Sequence, residues 1–254
     1  MSLYPLIKTT QMFSIFKKKV NLVTDISWLG VDIHSHLLPG IDDGAENISQ
    51  SITYIKGLQQ LGFNKLICTP HIFTEMYPNT AQTISQALEL VKEALHFEKV
   101  GIEIDAAAEY MIDDTFKIHV DHLCLPGNYI LVEMSYLNES PGIEQVIFDL
   151  QIKGYNVILA HPERYIFYHH DYKRFHRYKD MGVLFQLNLL SVTGYYGKEV
   201  KKTADYLLGQ QTYDFAGTDL HHEKHLTALK KAVESGYIYE KLGNYNFSNK
   251  ELFL

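Results

Sequence analysis

Cysteine, positive charge and long apolar runs are all scarce in this chain of 254 residues. Two cysteines, Cys68 and Cys124, are too few for a disulfide framework and are typical of a reducing compartment. The formal net charge of -7 argues against a non-specific nucleic-acid binder, which would normally carry a basic stripe. No apolar run approaches the length of a membrane span. We therefore expect a cytoplasmic protein that neither binds nucleic acid nor inserts stably into a membrane.

Two further features are missing from the sequence. No G-x-G-x-x-G pattern follows a predicted strand, so there is no sign of a dinucleotide site. No linker rich in proline or serine and no shift in composition divides the chain. The sequence therefore predicts one domain at residues 29–245, between an N-terminal extension at residues 1–28 and a C-terminal tail at residues 246–254.

What the chain does contain is an alternation of short, β-rich apolar runs with longer amphipathic segments. The predicted strands lie at residues 30–33, 65–69, 102–108, 129–134, 155–160, 183–189 and 213–218. The predicted helices lie at residues 47–62, 83–101, 142–154, 199–209 and 223–236. Repeated βα units are typical of a parallel sheet. About seven units favour an α/β fold of the distorted TIM-like barrel kind, and a doubly wound open sheet is the alternative.

Histidine, aspartate and glutamate residues collect where these predicted strands end. In the stretch "DIHSHLLPGIDD" (residues 32–43), His34 and His36 are separated by one residue, so they share one face of the strand. Similar residues follow five of the other predicted strands. The full set is His34, His36, Asp43, His71, Glu109, Glu133, His161, Asp219 and His221. Parallel α/β barrels build their active sites at the C-terminal ends of the strands, so the sequence predicts one shared metal site.

The chemistry of this set narrows the choice of metal. Imidazole and carboxylate ligands without thiolate suit Mn, Fe or Zn. Nine groups are too many for one ion, so we expect two or three divalent ions that share a carboxylate from Glu109 or Glu133. Adjacent ions lower the pKa of a shared water and produce hydroxide at neutral pH. His222, beside the last predicted pair, is ambiguous. Seven further histidines are predicted to be ordinary surface residues: His96, His119, His122, His169, His170, His176 and His225.

The motifs "DIHSHLLPGIDDGA", "TPHIF", "AAAEY", "VEMS", "HPERY" and "GTDLHH" resemble the polymerase-and-histidinol-phosphatase (PHP) superfamily. Within it, they are most similar to the bacterial CpsB/CapC type of manganese-dependent protein-tyrosine phosphatase, over about residues 31–235. The resemblance implies the PHP fold, a distorted barrel of seven βα units with three metal ions. It also implies that metal-activated hydroxide hydrolyses phosphotyrosine on a partner protein, a bacterial tyrosine autokinase of polysaccharide synthesis and export.

The resemblance also implies a role for each site residue. One ion would be held by His34, His36, Glu109 and Asp219, a second by Glu109, Glu133 and His161, and a third by Asp43, His71 and His221. Arg164 in "HPERY" matches the family arginine that binds the phosphate, and it would be catalytic together with His161 and Asp219. Relatives usually carry a second such arginine after the last histidine. Here the segment "HHEKHLTAL" offers Lys224 as the first candidate for substrate binding, with His222 and His225 as alternatives.

Two other functions stay open on the sequence. A small-molecule phosphatase such as histidinol-phosphatase shares the fold and the metals, and a non-catalytic, metal-stabilised binding module would share the ligands. The complete ligand set counts against the module, and the long first motif favours a phosphatase for proteins. A cysteine nucleophile is not supported, because Thr74 and Ile130, not arginine, stand six residues after Cys68 and Cys124.

Overall fold

The computed structural model describes residues 22–119 and 121–254, so most of the predicted N-terminal extension lies outside the described residues. The strands are β1 (Val31–Asp32), β2 (Lys65–Cys68), β3 (His71–Ile72), β4 (Glu103–Ala106), β5 (Glu109–Met111), β6 (Tyr129–Glu133), β7 (Asn156–Ala160), β8 (Leu184–Asn188) and β9 (Phe215–Gly217). The helices are α1 (Ile48–Leu61), α2 (Ala81–Phe97), α3 (Ile143–Ile152), α4 (Lys173–Asp180), α5 (Lys198–Gly209), α6 (Glu223–Glu234), α7 (Tyr237–Leu242) and α8 (Asn249–Phe253). Strands and helices alternate along most of this chain, as the sequence predicts.

The strands form two sheets in which every described pair is parallel. One has the order β1-β2-β4, and the other has the order β3-β5-β6-β7-β8-β9. Residues 69–70 separate β2 from β3, and residues 107–108 separate β4 from β5. Pro70 has no N–H group to donate to a ladder, which accounts for the first of these breaks. The α/β class is therefore confirmed, whereas a single closed barrel of seven units is not, because the described strands divide into two sheets.

The two longest helices, α1 and α2, begin where the sequence provides caps, and α1 also ends at one. The Asn47 side chain accepts a hydrogen bond of 3.1 Å from the N–H of Gln50 at the start of α1. Gly62 ends α1 with φ of 108°, a conformation that glycine adopts without a steric penalty. Thr80 and Thr83 cap the start of α2 reciprocally. These local signals explain why α1 and α2 lie close to their predicted positions.

Helix α4 lies where no helix is predicted, because its eight residues are mostly polar and only Phe175 and Tyr178 are buried. A stretch of eight residues is shorter than the window in which an apolar period is normally recognised. Within residues 22–119 and 121–254, no helix has both the length and the apolar character needed to cross a membrane.

Both faces of the sheets are buried. Along β7, Val157 and Leu159 belong to the large cluster that packs against the helices, whereas Ile158 and Ala160 belong to a smaller cluster on the opposite face. Parallel sheets are normally covered on both faces, and their strands are accordingly apolar throughout. Polar side chains are thus left to the ends of the strands, where the candidate site lies.

The last helix, α8, packs against the smaller hydrophobic cluster, to which its Phe253 belongs. Asn249 is fully buried and donates hydrogen bonds to the carbonyl groups of Val31 (3.0 Å) and Ala216 (2.7 Å). It also accepts a hydrogen bond of 3.0 Å from the N–H of Ala216. The Phe253 ring lies 5.4 Å from that of Phe215. Residues 249–253, predicted as part of a C-terminal tail, therefore pack into the domain and connect β1 with β9.

Replacing Asn249 with alanine should lower the free energy of unfolding by about 2 kcal/mol or more, because buried backbone groups of β1 and β9 would lose their partners. Urea unfolding of the metal-free protein measures the change. Asn244→Ala is the matched control, since Asn244 is exposed. Equal unfolding midpoints for the two variants would contradict this role of Asn249.

Candidate metal centre

Seven of the nine predicted ligands lie at the C-terminal ends of strands or in the loops that follow them. The other two, His71 and Glu109, are the first residues of β3 and β5, just after the breaks that separate these strands from β2 and β4. Eight of the nine side chains are at most 14% exposed, and Asp43, in the loop after β1, is 51% exposed. Charged groups are almost never buried in this way unless they are paired or bind a cation. The nine residues are therefore brought together, as the sequence predicts.

Glu109 stands at the centre of the cluster. Its Oε2 atom lies 3.1 Å from Nε2 of His34, 3.4 Å from Nε2 of His36 and 3.2 Å from Nδ1 of His71. Its Oε1 atom lies 3.3 Å from Nε2 of His161. One carboxylate thus contacts imidazoles from four different chain positions, which is the arrangement expected of a group shared between ions.

Asp219 completes one side of the cluster. Its Oδ1 atom lies 3.4 Å from Nε2 of His34 and 3.5 Å from Nε2 of His36. Candidate ligand atoms of His34, His36 and Asp219 all fall within 4.8 Å of one another, as do those of His34, Glu109 and His161. This side of the cluster is completely buried.

The other side faces outward. Oδ1 of Asp43 lies 3.4 Å from Nε2 of His71 and 3.6 Å from Nε2 of His221. Nδ1 of His71 lies 3.0 Å from Oε1 of Glu133. Candidate ligand atoms of Asp43, His71, His221 and His36 all fall within 4.8 Å of one another. His71, Glu109 and Glu133 form a further group that meets the same distance limit. The two ring nitrogens of His71 therefore connect the outer group to the buried carboxylates: Nε2 faces Asp43, and Nδ1 faces Glu109 and Glu133.

The carboxylate oxygens of Glu109 and the types of donor atom in the cluster show whether a metal fits. Both carboxylate oxygens of Glu109 are buried, and neither accepts a hydrogen bond from any residue that the structure describes. A buried carboxylate without donors is strongly destabilising unless a positive charge compensates it. The donor atoms are nitrogens and oxygens only, which suits Mn, Fe or Zn. The residues present therefore fit divalent cations.

Hydrogen bonds behind the cluster orient three of the imidazoles. Nδ1 of His34 lies 2.8 Å from Oε1 of Gln186, and Nδ1 of His36 lies 2.8 Å from Oδ2 of Asp42. Nδ1 of His221 lies 3.0 Å from the carbonyl oxygen of Asp219. Donation through Nδ1 leaves Nε2 free to bind a metal, which is the usual role of a carboxylate or carbonyl behind a ligating histidine. Gln186 and Asp42, which orient His34 and His36, are not identified by the sequence analysis.

The charges of the cluster hold its central carboxylates in the ionised form. Burial opposes ionisation of Glu109, but the neighbouring imidazoles, His34 foremost, outweigh it and lower its pKa well below the usual range. Burial likewise opposes ionisation of Asp219, yet the charges of His34, His221 and Arg164 lower its pKa. Both groups are thus anionic at neutral pH, as metal ligands must be.

Two of the predicted ligands occupy a backbone conformation that residues other than glycine rarely adopt. His161 has φ of 33° and Asp219 has φ of 49°. The Asp219 N–H donates a hydrogen bond of 2.7 Å to the carbonyl group of His34, which holds this conformation in place. Left-handed backbone at positions without glycine is found disproportionately at functional sites. The two strand ends are therefore shaped to direct these side chains into the cluster.

Arg164 lies at the mouth of the cluster. Its Nη1 atom donates a hydrogen bond of 2.6 Å to Oδ2 of Asp219. Its guanidinium carbon lies 4.4 Å from the ring centroid of Tyr136 and 4.2 Å from that of Tyr196. Asn188 donates a hydrogen bond of 2.8 Å to the same Asp219 oxygen. Two rings and one carboxylate thus hold the guanidinium group next to the predicted ligands.

The residues after the last ligand are placed differently from the prediction. Lys224 is exposed on the first turn of α6 and does not line the cleft over the cluster. His222 and His225 do line it, and His222 caps α6 by accepting a hydrogen bond from the N–H of His225. His225 and His169 are buried, so the prediction that both are surface residues is wrong. Aromatic packing and capping account for these positions, and neither produces a distinct sequence pattern.

A cleft of about 900 Å³ opens over the cluster. Its inner end is lined by Asp43, His71, Glu133, Arg164 and His221. Its outer walls come from the loops that follow β3, β5 and β6. A cleft of this size, with charged groups converging at one end, is the usual form of a small-molecule or active site.

Comparison with known proteins adds to this geometry. The tyrosine-protein phosphatase YwqE of Bacillus subtilis (strain 168) is 28% identical over 216 residues, which cover 83% of this chain and 84% of the relative. The tyrosine-protein phosphatase CpsB of Streptococcus pneumoniae is 25% identical over 203 residues, which cover 76% of this chain and 83% of the relative.

A solved structure from work on YwqE and CpsB as metal-dependent tyrosine phosphatases is 25% identical, covers 88% of this chain and 94% of its own, and has a TM-score of 0.73. A lactonase of Listeria monocytogenes, 11% identical with a TM-score of 0.52, shares the fold alone. The family model for capsular polysaccharide synthesis, CpsB/CapC, matches residues 30–251. The resemblance predicted from the motifs is thereby confirmed: the chain belongs to the CpsB/CapC family.

Proposed function

We propose that this protein is a metal-dependent phosphatase that hydrolyses phosphotyrosine in proteins. The observation that carries the proposal is the buried carboxylate of Glu109 within 3.1–3.4 Å of four imidazoles, with the guanidinium group of Arg164 at the mouth of the same cluster. Relatives named as tyrosine-protein phosphatases support the choice of substrate. A tyrosine autokinase of capsular polysaccharide synthesis is the proposed partner, in keeping with the family.

The proposed cofactor is a set of two or three divalent ions, with Mn the first expectation and Fe or Zn the alternatives. His34, His36, Glu109 and Asp219 would hold one ion, Glu109, Glu133 and His161 a second, and Asp43, His71 and His221 a third. This division is supported by the orientation of His34, His36 and His221: Nδ1 of each ring is engaged behind the cluster, and Nε2 lies beside a carboxylate assigned to an ion in the cluster. Such ions would supply an activated water and neutralise charge on the phosphoryl group.

The chain's own groups would position the substrate. Arg164 is a planar fork with donors beyond the one that Asp219 occupies, so it can orient two phosphoryl oxygens at the mouth of the cluster. The rings of Tyr136 and Tyr196 fix the plane of that fork. A tyrosine leaving group, with a free pKa of ~10, departs without the strong general acid that an alkoxide would need.

We also propose that the two sheets are arcs of one distorted barrel of about seven βα units. Ser35 and Leu220 form a parallel bridge beyond the ends of β1 and β9. The N–H of Thr69 donates a hydrogen bond of 2.8 Å to the carbonyl group of Ser35, which connects β1 with the segment between β2 and β3. These contacts support closure at the C-terminal end, where the candidate site lies.

The function is tested by measuring turnover of a phosphotyrosine peptide and of histidinol phosphate by protein purified without chelator. We expect the peptide to be the better substrate, EDTA to abolish turnover, and elemental analysis to find two or three transition-metal ions per chain. Full turnover after chelation, with no metal detected, would rule out the metal-dependent mechanism. A preference for histidinol phosphate would favour the small-molecule phosphatase instead.

The serine variants Cys68→Ser and Cys124→Ser should keep nearly all of the phosphatase activity, whereas His161→Ala should remove it. Burial raises the pKa of the Cys68 thiol far above neutral and that of Cys124 to about 11, so neither is a thiolate nucleophile. Steady-state kinetics on the peptide measures the effect. Loss of activity in Cys68→Ser, with unchanged metal content and stability, would count against a metal-based mechanism.

A further inference from the structure

We infer that Met76 and Leu137 form a subsite for an apolar side chain that adjoins the phosphotyrosine in an extended segment of the substrate protein. This inference rests on the proposed function. The two side chains line the same cleft from facing loops, and they are 62% and 75% exposed. Large apolar side chains that are exposed at the walls of a groove are typical of binding surfaces.

The first wall is a tight turn attached to the metal cluster. Phe73 and Tyr77 pair through two backbone hydrogen bonds of 2.9 and 2.8 Å, and Met76 lies within this turn. The Tyr77 ring stacks on the imidazole of His71, with centroids 5.6 Å apart. Met76 is thus presented at a fixed distance from a predicted metal ligand, and its exposure does not result from a frayed segment.

The second wall is a loop that is anchored on both sides of its tip. The Ser140 hydroxyl donates a short hydrogen bond to the carbonyl group of Ile112, and Arg174 forms an ion pair with Glu139. Leu137 lies just before these anchors, and its own N–H donates a hydrogen bond of 3.2 Å to the Ser135 side chain. An ordered loop therefore holds the Leu137 side chain at the wall of the cleft, and its exposure does not result from a frayed segment.

The cleft, of about 900 Å³, is also larger than a free phosphomonoester requires. Charged groups that can bind the phosphoryl group occupy only its inner end. Beyond them the lining includes Asp113, Asp114 and six apolar residues from β5 and from the loops after β3, β5 and β6: Phe73, Met76, Met111, Ile112, Leu137 and Pro141. Such a surface suits polypeptide on either side of the phosphotyrosine, because a single aromatic ring cannot cover both walls.

The charge of the outer cleft indicates which polypeptide fits. Asp113 and Asp114 line it after β5, and Asp113 is fixed by accepting hydrogen bonds from the N–H (2.8 Å) and hydroxyl (2.7 Å) of Thr115. Acidic side chains of a substrate would be repelled here. The segment that fits therefore has apolar residues beside the phosphotyrosine and no acidic ones.

The test compares two substrates: para-nitrophenyl phosphate, which has no flanking chain, and a phosphotyrosyl peptide with leucine on both sides. The double variant Met76→Ser/Leu137→Ser should lower the ratio of the two kcat/KM values, peptide over aryl phosphate, by about tenfold. Leu90→Ser/Phe97→Ser is the matched control, since both side chains lie exposed on α2, outside the cleft lining. An unchanged ratio in the cleft variant would overturn the inference, as would an equal fall in the control.

A second measurement separates this inference from the proposed function. If metal-loaded wild-type protein hydrolyses neither substrate, the proposed function fails. The subsite can then be tested without turnover. A peptide of the same sequence that carries a non-hydrolysable phosphonate in place of the phosphate is titrated with the protein, and its binding is measured by fluorescence anisotropy. We expect about tenfold weaker binding by the cleft double variant than by wild type, and weaker binding when glutamate replaces the flanking leucines. Equal affinities would overturn the subsite.

Discussion

Replacing Glu109 with glutamine should reduce both the bound metal and phosphotyrosine hydrolysis, the latter by on the order of a thousandfold, or ~4 kcal/mol of barrier. The two oxygens of Glu109 contact imidazoles of the buried group and of the outer group, at 3.1 Å from His34, 3.2 Å from His71 and 3.3 Å from His161. A neutral amide keeps the shape of the side chain but removes the charge that two ions would share. One substitution should therefore affect more than one ion.

Elemental analysis and peptide kinetics on the same preparation measure this result. Glu93→Gln makes the same change of charge at an exposed position of α2, outside the cleft lining, and should leave both quantities unchanged. Full metal content and near-normal kcat/KM in Glu109→Gln would show that Glu109 is not the central ligand. Loss of activity with full metal content would instead assign Glu109 a role in orienting the nucleophile.

The candidate ligands can be predicted from the sequence because strand ends and ligand positions coincide. The apolar runs locate β1, β6 and β7 to within a few residues, and His34, Glu133 and His161 lie where those runs end. In a parallel sheet all such ends meet at one edge. A shared site for ligands that are far apart in the chain can therefore be predicted without knowing their contacts.

The partners of those ligands could not be predicted in the same way. Gln186 lies within β8 and supports His34 from behind, but one glutamine in an apolar strand has many possible roles. Tyr136 and Tyr196 are common residues in loops, and only their distances of 4.4 and 4.2 Å from Arg164 reveal what they hold. Such contacts depend on loop geometry, for which the sequence has no periodic signal.

The division of the sheet and the role of the C terminus also required the structure. Pro70 is visible in the sequence, yet a single proline at a strand end does not show that the pairing passes from one sheet to another. Helix α8 has only five residues, too few for a periodic pattern, and its importance comes from the long-range hydrogen bonds of Asn249 to β1 and β9. Short segments become predictable only when their partners are known.

Arg164 is the second residue for which a large effect is expected. Its side chain is 18% exposed, so it reaches the cleft while its guanidinium group is packed between two rings. Glu163, the acidic neighbour with which it could have paired, is buried and instead accepts hydrogen bonds from Tyr213 (2.8 Å) and Asn188 (3.0 Å). Arg164 thus donates a hydrogen bond to Asp219 and lines the cleft. A group that binds phosphate would be placed in this way.

Arg164→Ala should lower kcat/KM on the phosphotyrosine peptide by about ten- to a thousandfold, equivalent to ~1.4–4 kcal/mol for one strong electrostatic donor. A rise in KM alone would mean that Arg164 binds the phosphate equally throughout the reaction, whereas a fall in kcat would mean that it acts mainly in the transition state. Arg164→Lys should recover only part of the loss, because a single ammonium group cannot form the two parallel bonds of the planar fork. Metal content should match that of the wild type.

Two further variants make this result specific. Arg177→Ala removes an arginine that lies exposed on α4, paired with Glu144, and should leave kcat/KM unchanged. Lys224→Ala tests the candidate that the sequence suggests for the second phosphate contact. Because Lys224 is exposed and does not line the cleft, we expect this substitution to change kcat/KM by less than about twofold. Near-normal kinetics in Arg164→Ala together with a large loss in Lys224→Ala would reverse the two assignments and place the phosphate on the α6 side of the cleft.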